Sequence, residues 1–284
     1  MSSFTIKSTT RVFGGRLVRF THDSVQTKCQ MTCSVFVPGS AATKRPLLLY
    51  LSGLTCTDEN VCQKSGIFRS LAEKGLAFVA PDTSPRGLNL PGDSDSWDFG
   101  VGAGFYVDAT AEPWNNNYRM YSYITDELLS VVGENFPDID TTNVGITGHS
   151  MGGHGALSIA LKRPDLFKSV SAFSPISNPV NCPWGVKAFT GYFGADAQDE
   201  WEAHDSTALI TKNGKSKYED ILIDVGSSDN FLINGQLLCD NFRLACSAVG
   251  QNVTLRYQGG YDHSYNFVSS FVQDHVEHHA QKLL

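Results

Sequence analysis

Residues 145–156 read GITGHSMGGHGA, and the way this stretch folds decides the architecture. The lead-in NVGITG (143–148) is β-branched and strand-like, and a helix-forming run begins at Met151. Between them Gly148-His149-Ser150-Met151-Gly152 fits Gly-x-Ser-x-Gly. The pattern alone is weak, because an ordinary glycine-rich turn also satisfies it. Its context is specific: a nucleophile elbow needs a strand directly before the serine and a helix directly after it. Side chains in place of the flanking glycines would collide with the neighbouring strand and helix. The dinucleotide-loop pattern Gly-x-Gly-x-x-Gly is not matched.

Outward from the elbow, strands and helices alternate. Upstream, PLLLYLSG (46–53) and AFVAPD (77–82) read as buried parallel strands. Between them SGIFRSLAEKG (65–75) predicts a helix stopped by Gly75. Before these, TIKSTTRVF (5–13), RLVRFTH (16–22) and MTCSVFVP (31–38) predict antiparallel strands, with a turn at Gly14-Gly15. Residues 83–117 break the alternation, and a connection this long suggests a functional loop or lid. A helix over 118–136 then leads into the elbow strand. Downstream come strands at 169–175, 221–226 and 253–260, a helical insert at 184–212, a helix at 235–250 and a last helix from about 264. The expectation is one α/β domain over residues 1–284, a mostly parallel sheet with antiparallel N-terminal strands and helices on both faces.

Bulk properties remove several function classes. The 284 residues are 41% hydrophobic and 18% charged, with 22 basic and 29 acidic side chains and a net charge of −7. That is ample for a sizeable core, and without a basic run it predicts no nucleic-acid partner. The longest apolar run, LLLYLSGL, is far short of a membrane span. No apolar leader opens the chain, and the seven cysteines are scattered with no Cys-x-x-Cys. Reduced thiols in a cytoplasmic protein are the expectation.

A serine hydroxyl needs a base, and the base needs an orienting acid. In this kind of sheet the chain order is serine, acid, histidine. His263 follows a strand on a Gly-Gly loop and is the candidate base, because His204 precedes every good acid and the remaining three lie in the last helix. ILIDVGSSDNFL (221–232) offers Asp224 inside the strand and Asp229 beyond its C-terminal end. Asp229 lies at the same sheet edge as the elbow and is preferred. Asp262 adjoins His263 in sequence, where the geometry for such a bond is poor. The oxyanion donors should be the amide of Met151 and one from the loop near Gly53-Leu54.

Six blocks then carry a resemblance: LSGLTCTDEN (51–60), APDTSPRGLN (80–89), DFGVGAGFYVDAT (98–110), GHSMGGHGAL (148–157), SVSAFSPISNP (169–179) and GYDHSY (260–265). Together, and in order over essentially the whole chain, they resemble the S-formylglutathione hydrolase (esterase D) family. The resemblance implies an α/β-hydrolase fold, a small-molecule thioester substrate, no cofactor or metal, a homodimer, and a role in formaldehyde detoxification. It places the nucleophile on Ser150, the base on His263, the acid on Asp229 and the oxyanion donors on Leu54 and Met151. Departures fall at Val225, Asn230 and Asn266, beside these positions, and bear on rate rather than reaction type. The rival functions are a general short-acyl carboxylesterase and a non-catalytic binding module of the same fold.

Cys56 should lie near the site, either as a thiol whose modification blocks access or as a packing residue. Cys182 and Trp184 either line the pocket or pack the core. His149 and His154 are expected to be structural, with satisfied ring nitrogens. His275, His278 and His279 have metal-ligand spacing on a helix, but a solvated helix face is the simpler expectation. Arg86 and Lys187 are candidate cations for the carboxylates of glutathione.

Overall fold

The computed structural model describes residues 3–39 and 43–284. Its N-terminal strands are β1 (Phe4–Val12), β2 (Gly15–Asp23) and β3 (Gln30–Val37). The β1–β2 turn consists of Phe13 and Gly14, both at positive φ (42° and 78°), one residue earlier than the sequence suggests. Two positive-φ residues suit the twist of a two-residue hairpin. Gly15 already pairs with Val12 in the ladder, and a Cβ on it would meet the Val37 carbonyl at 2.5 Å. Close approach to β3, rather than turn conformation, is what requires that glycine.

The remaining strands are β4 (Arg45–Leu51), β5 (Ala77–Pro81), β6 (Ile139–Gly148), β7 (Phe167–Phe173), β8 (Ile221–Gly226) and β9 (Val253–Gln258). The sheet runs β1-β2-β3-β5-β4-β6-β7-β8-β9. Pairings are antiparallel as far as β3–β5 and parallel from β5–β4 onward. This is the α/β-hydrolase arrangement the sequence led us to expect. β5 and β8 are buried at every position, as strands covered on both faces must be.

The helices are α1 (Asp58–Lys64), α2 (Phe68–Lys74), α3 (Met120–Ser122), α4 (Leu129–Asn135), α5 (Met151–Lys162), α6 (Pro183–Phe193), α7 (Gln198–Ala203), α8 (Ser206–Asn213), α9 (Asn230–Ile233), α10 (Cys239–Ala248) and α11 (Tyr265–Leu283). Strand alternation divides the core between the two faces. Leu47, Leu49 and Leu51 of β4 join one cluster with α5, α6 and α10. Leu48 and Tyr50 join the other with α1, α2 and α11.

Three local expectations need revision. α1 has no counterpart in the sequence reading; its signal is Thr57, which caps Glu59 N while Asn60 returns a bond to the Thr57 amide. The helix expected over 118–136 contains a π-helical turn, Tyr123–Leu128, between α3 and α4. From this turn Tyr123 and Glu127 reach β2 and the β2–β3 loop, at His22 and Ser24. Within residues 83–117, Phe105, Tyr106 and Val107 are fully buried. Thr55 N donates to Gly102 O (2.9 Å) and the Tyr106 hydroxyl to Ser52 O (2.8 Å). That part of the segment is a packed wall of the site and not a mobile cover.

Candidate active site

The elbow forms where β6 ends and α5 begins. Ser150 has φ 59° and ψ −118°, a region a non-glycine residue enters only under strain. Its amide donates to Phe173 O (2.9 Å) and the His149 amide to Leu51 O (3.0 Å), so β7 and β4 both hold the turn. A Cβ on Gly148 would lie 2.2 Å from Gly152 O, and one on Gly152 only 1.9 Å from Leu51 O. The two glycines are therefore steric requirements of the crossing.

Asp229 lies three residues beyond β8 and is fully buried at the start of α9. One carboxylate oxygen accepts the Phe231 amide (2.8 Å), and the other accepts from His263 Nδ1 (2.5 Å). The β8 and β9 loops are tied by Ser227 N to Gln258 O and Ser228 N to Tyr261 O, both 2.9 Å. The His263 ring packs edge-on against Phe231 (4.7 Å) and lies 4.5 Å from the His149 ring. With Nδ1 committed to Asp229, Nε2 is the nitrogen left to take a proton. Among the described residues no hydrogen bond closes between Ser150 Oγ and His263 Nε2; such bonds commonly tighten only with substrate present. Gly53 brings the loop after β4 against the serine: a Cβ there would lie 3.1 Å from Ser150 Cβ. In that loop Thr55 N and Cys56 N have carbonyl acceptors, whereas Leu54 N has none among the described residues. Met151 N is an orphan donor by position, as the first residue of a helix.

The two rejected acids have other partners. Asp224 is chelated by Arg256 (Nε–Oδ1 2.7 Å, Nη2–Oδ2 2.5 Å) and bonded by His275 and Gln258. Burial works to raise its carboxyl, but the His275 and Arg256 hydrogen bonds prevail and hold it at about 2. Asp262 accepts Ser264 N and Oγ at the entrance to α11.

These features belong to a serine hydrolase in form, and comparison with known proteins fixes the lineage. A family model described as "Putative esterase" matches residues 24–278. An S-formylglutathione hydrolase of Bos taurus is 55% identical over 97% of both chains, and one of Arabidopsis thaliana 52% over 96% of both. A solved structure of an S-formylglutathione hydrolase from Agrobacterium tumefaciens superposes with a TM-score of 0.94 at 44% identity, covering 98% of this chain and 99% of that one. The chain belongs to the S-formylglutathione hydrolase family.

Around the site of this family member the structure sorts the remaining residues. Trp184 is nearly buried, packs on Phe231 (4.6 Å) and is met edge-on by Trp97 (5.7 Å). Trp97, 56% exposed, was not singled out from sequence; an aromatic within the 83–117 wall was the available signal. Cys182 is 1% exposed and caps α6 through Gly185 N, its thiol pushed up to about 11 by burial. It packs rather than lines. Arg86 is fixed on Asp82 and the Cys56 carbonyl, and Lys187 pairs with Asp98 at the rim. Asn230 and Asn266 are exposed. Among the described residues no helix is long and apolar enough to cross a membrane.

The Cys56 thiol is partly buried, and burial raises its pKa. It is no standing thiolate, so Cys56→Ala should leave kcat/KM within about threefold of wild type. A larger loss in steady-state assays would give this thiol a role in the reaction.

The histidines of α11 depart from expectation. His275 and His279 are buried, not solvated. His279 bonds Ser169 (2.6 Å) and Ser171 (2.9 Å), and His275 bonds Ser171 (2.8 Å) and Asp224 (3.1 Å). His278 bonds the Val170 carbonyl. Facing a sheet that offers hydroxyls and a carboxylate, they fasten α11. Among the described residues no three His, Cys, Asp or Glu side chains are grouped to hold a metal ion. Among the described residues, and against expectation, both ring nitrogens of buried His149 lack partners, and His154, which bonds Phe105 O through Nε2, leaves its buried Nδ1 without one.

Burial lowers the pKa of His22, His149, His154, His204, His275, His278 and His279, with His154 falling to about 4. These rings are neutral when folded and charge more readily when unfolded. The stability they contribute is present above pH ~6.5 and is lost as pH falls from there through the folded values. His154 alone would cost about 3 kcal/mol by pH 4. Urea midpoints should therefore fall steeply between pH 6.5 and 4; a flat profile across that window would contradict it.

Proposed function

We propose that this protein hydrolyses S-formylglutathione to glutathione and formate through a formyl-Ser150 intermediate. The observation that carries the reading is the bond of 2.5 Å between buried Asp229 and half-buried His263, at the sheet edge that holds the strained Ser150 elbow. Its setting is a chain 52–55% identical to hydrolases of that name. His263 Nε2 takes the serine proton as Oγ attacks the formyl carbon. Asp229 holds the ring in the required tautomer and stabilises the imidazolium. The Leu54 and Met151 amides receive the oxyanion, each such donor being worth about 3 kcal/mol in the transition state. Glutathione leaves as thiolate, a good leaving group that needs little acid assistance. Water activated by His263 then frees formate.

The wider reading is a cytoplasmic, single-domain homodimer acting in formaldehyde detoxification. The nine-stranded sheet that runs from the first strand to the last supports the single domain. Turnover of S-formylglutathione, S-acetylglutathione and p-nitrophenyl acetate tests the substrate. The formyl thioester should lead in kcat/KM by at least about tenfold, roughly 1.4 kcal/mol in transition-state binding. Equal or faster turnover of the simple ester would make the protein a general short-acyl esterase.

A further inference from the structure

The loop after β4 contains a strained turn. Gly53 O accepts the Cys56 amide (3.2 Å), which puts Leu54 and Thr55 at the centre of the turn. Thr55 has φ 67°. A turn with positive φ at that position ordinarily takes glycine or asparagine, and a β-branched residue there is an outlier. Such a conformation persists only where the surrounding structure over-determines it.

Bonds on both sides hold this turn. Ahead of it the Tyr106 hydroxyl donates to Ser52 O (2.8 Å), and at its centre the Thr55 amide donates to Gly102 O (2.9 Å). At its far end Cys56 O accepts two bonds, from Thr83 Oγ1 (2.6 Å) and Arg86 Nη2 (3.0 Å). The two donors are themselves fixed. Arg86 forks onto Asp82 (Nε–Oδ2 2.8 Å, Nη2–Oδ1 2.9 Å), and the same carboxylate accepts the Thr83 amide (2.7 Å). Asp82 is buried and follows β5 directly, so the clamp is built on the sheet. Gly102, whose carbonyl holds Thr55, gives its own amide to Ser84 Oγ (2.8 Å). Residues 82–86 therefore reach the turn twice, at Cys56 directly and at Thr55 by way of Gly102. The Arg86 Nε and Nη2 groups are spent inward, which is a poor use of a cation meant for a substrate carboxylate.

We propose that Arg86 and Thr83 are positioning residues of the oxyanion hole. By holding the Cys56 carbonyl they keep Thr55 in the left-handed region, and the turn then presents the Leu54 amide to the reacting carbonyl. Without the clamp Thr55 relaxes, the peptide before it swings, and Leu54 moves with it. A misplacement of about 1 Å in such a group costs up to about 100-fold in rate. The inference rests on the proposed role of Leu54 N and not on which acyl group is transferred.

The test compares Thr83→Val, Thr83→Ser and the double variant Thr83→Val/Arg86→Lys with wild type. Lysine keeps a positive charge beside Asp82 but lacks the fork that spans Asp82 and Cys56 O. Thr83→Val should lower kcat/KM at least about fivefold and the double variant at least about twentyfold, by the same factor for S-formylglutathione and p-nitrophenyl acetate. Inhibition by trifluoroacetone, whose hemiketal with Ser150 carries an oxyanion, should weaken in parallel. Thr83→Ser, which restores the hydroxyl, should recover most of the loss. Urea midpoints identify the folded variants, and Thr83→Val with Thr83→Ser suffices if the double variant does not fold. Wild-type kcat/KM in folded Thr83→Val, or a loss with inhibitor affinity unchanged, would overturn the proposal. So would a loss confined to the glutathione thioester, which would make Arg86 a substrate-binding cation. A wild type that hydrolyses p-nitrophenyl acetate but not S-formylglutathione would remove the proposed substrate, and the ester and inhibitor ratios would still decide the role of the clamp.

Discussion

Ser150→Ala is expected to lower kcat/KM for any acyl substrate by at least about 10⁴-fold, with the fold intact. In the proposed mechanism the hydroxyl is the attacking group, and among the described residues its removal touches no structural bond. The elbow is held by backbone bonds from Ser150 N to Phe173 O and His149 N to Leu51 O, which alanine keeps. Ser150→Gly should be equally inactive yet more stable, by about 1–3 kcal/mol, because glycine occupies φ 59° without strain. Steady-state kinetics and urea denaturation on both variants check this. Activity above about 1% of wild type in the alanine variant would remove Ser150 from the centre of the mechanism. A glycine variant no more stable than alanine would mean that the elbow stores no strain.

Gly152→Ala is expected to be the most damaging single-methyl change in the molecule. Its Cβ would lie 1.9 Å from Leu51 O, 2.3 Å from Leu51 C and 2.6 Å from Ser52 O. All three are backbone atoms, so no side chain can rotate aside. Relief requires α5 to move away from β4, yet ten of the twelve α5 residues are buried. The loss should exceed about 4 kcal/mol, in the range reserved for severe core overpacking or backbone strain. Any soluble fraction should lose most of its activity, because Gly53 and the Leu54 amide sit on the displaced loop. Urea midpoints and specific activity decide the matter: near-wild-type values in both would show that the crossing has slack the geometry denies.

Much of this was legible without coordinates, and the legible parts share a cause. The elbow at Ser150, the order of strands and helices, and the pairing of Asp229 with His263 rest on short-range chemistry. Glycine spacing, β-branched runs and a loop directly after a strand are local features that leave a local mark. Family resemblance led to the same three residues. Local marks are also where the reading slipped by small amounts, as at the first hairpin, where Gly15, counted as a turn residue, is held by strand packing and the turn is Phe13-Gly14. The α1 cap uses Asn60 in place of the usual Glu or Gln, which dulled its signal.

What stayed hidden was set by contacts between residues far apart in the chain. The spacing of His275, His278 and His279 does not say whether that helix face meets water or a sheet. Ser169, Ser171 and Asp224, 51 to 110 residues away, made it a buried network. The length and glycine-rich look of residues 83–117 suggested a functional loop or lid without choosing between them, and packing against the elbow helix and the loop after β4 buried its centre as a wall of the site. The sequence by itself determined the order of the elements and the chemistry at the strand ends, because those depend on backbone conformation. Only the tertiary structure decided which polar groups are paired and which, like the ring nitrogens of His149, are buried without a partner among the described residues, because burial is a property of the assembled core.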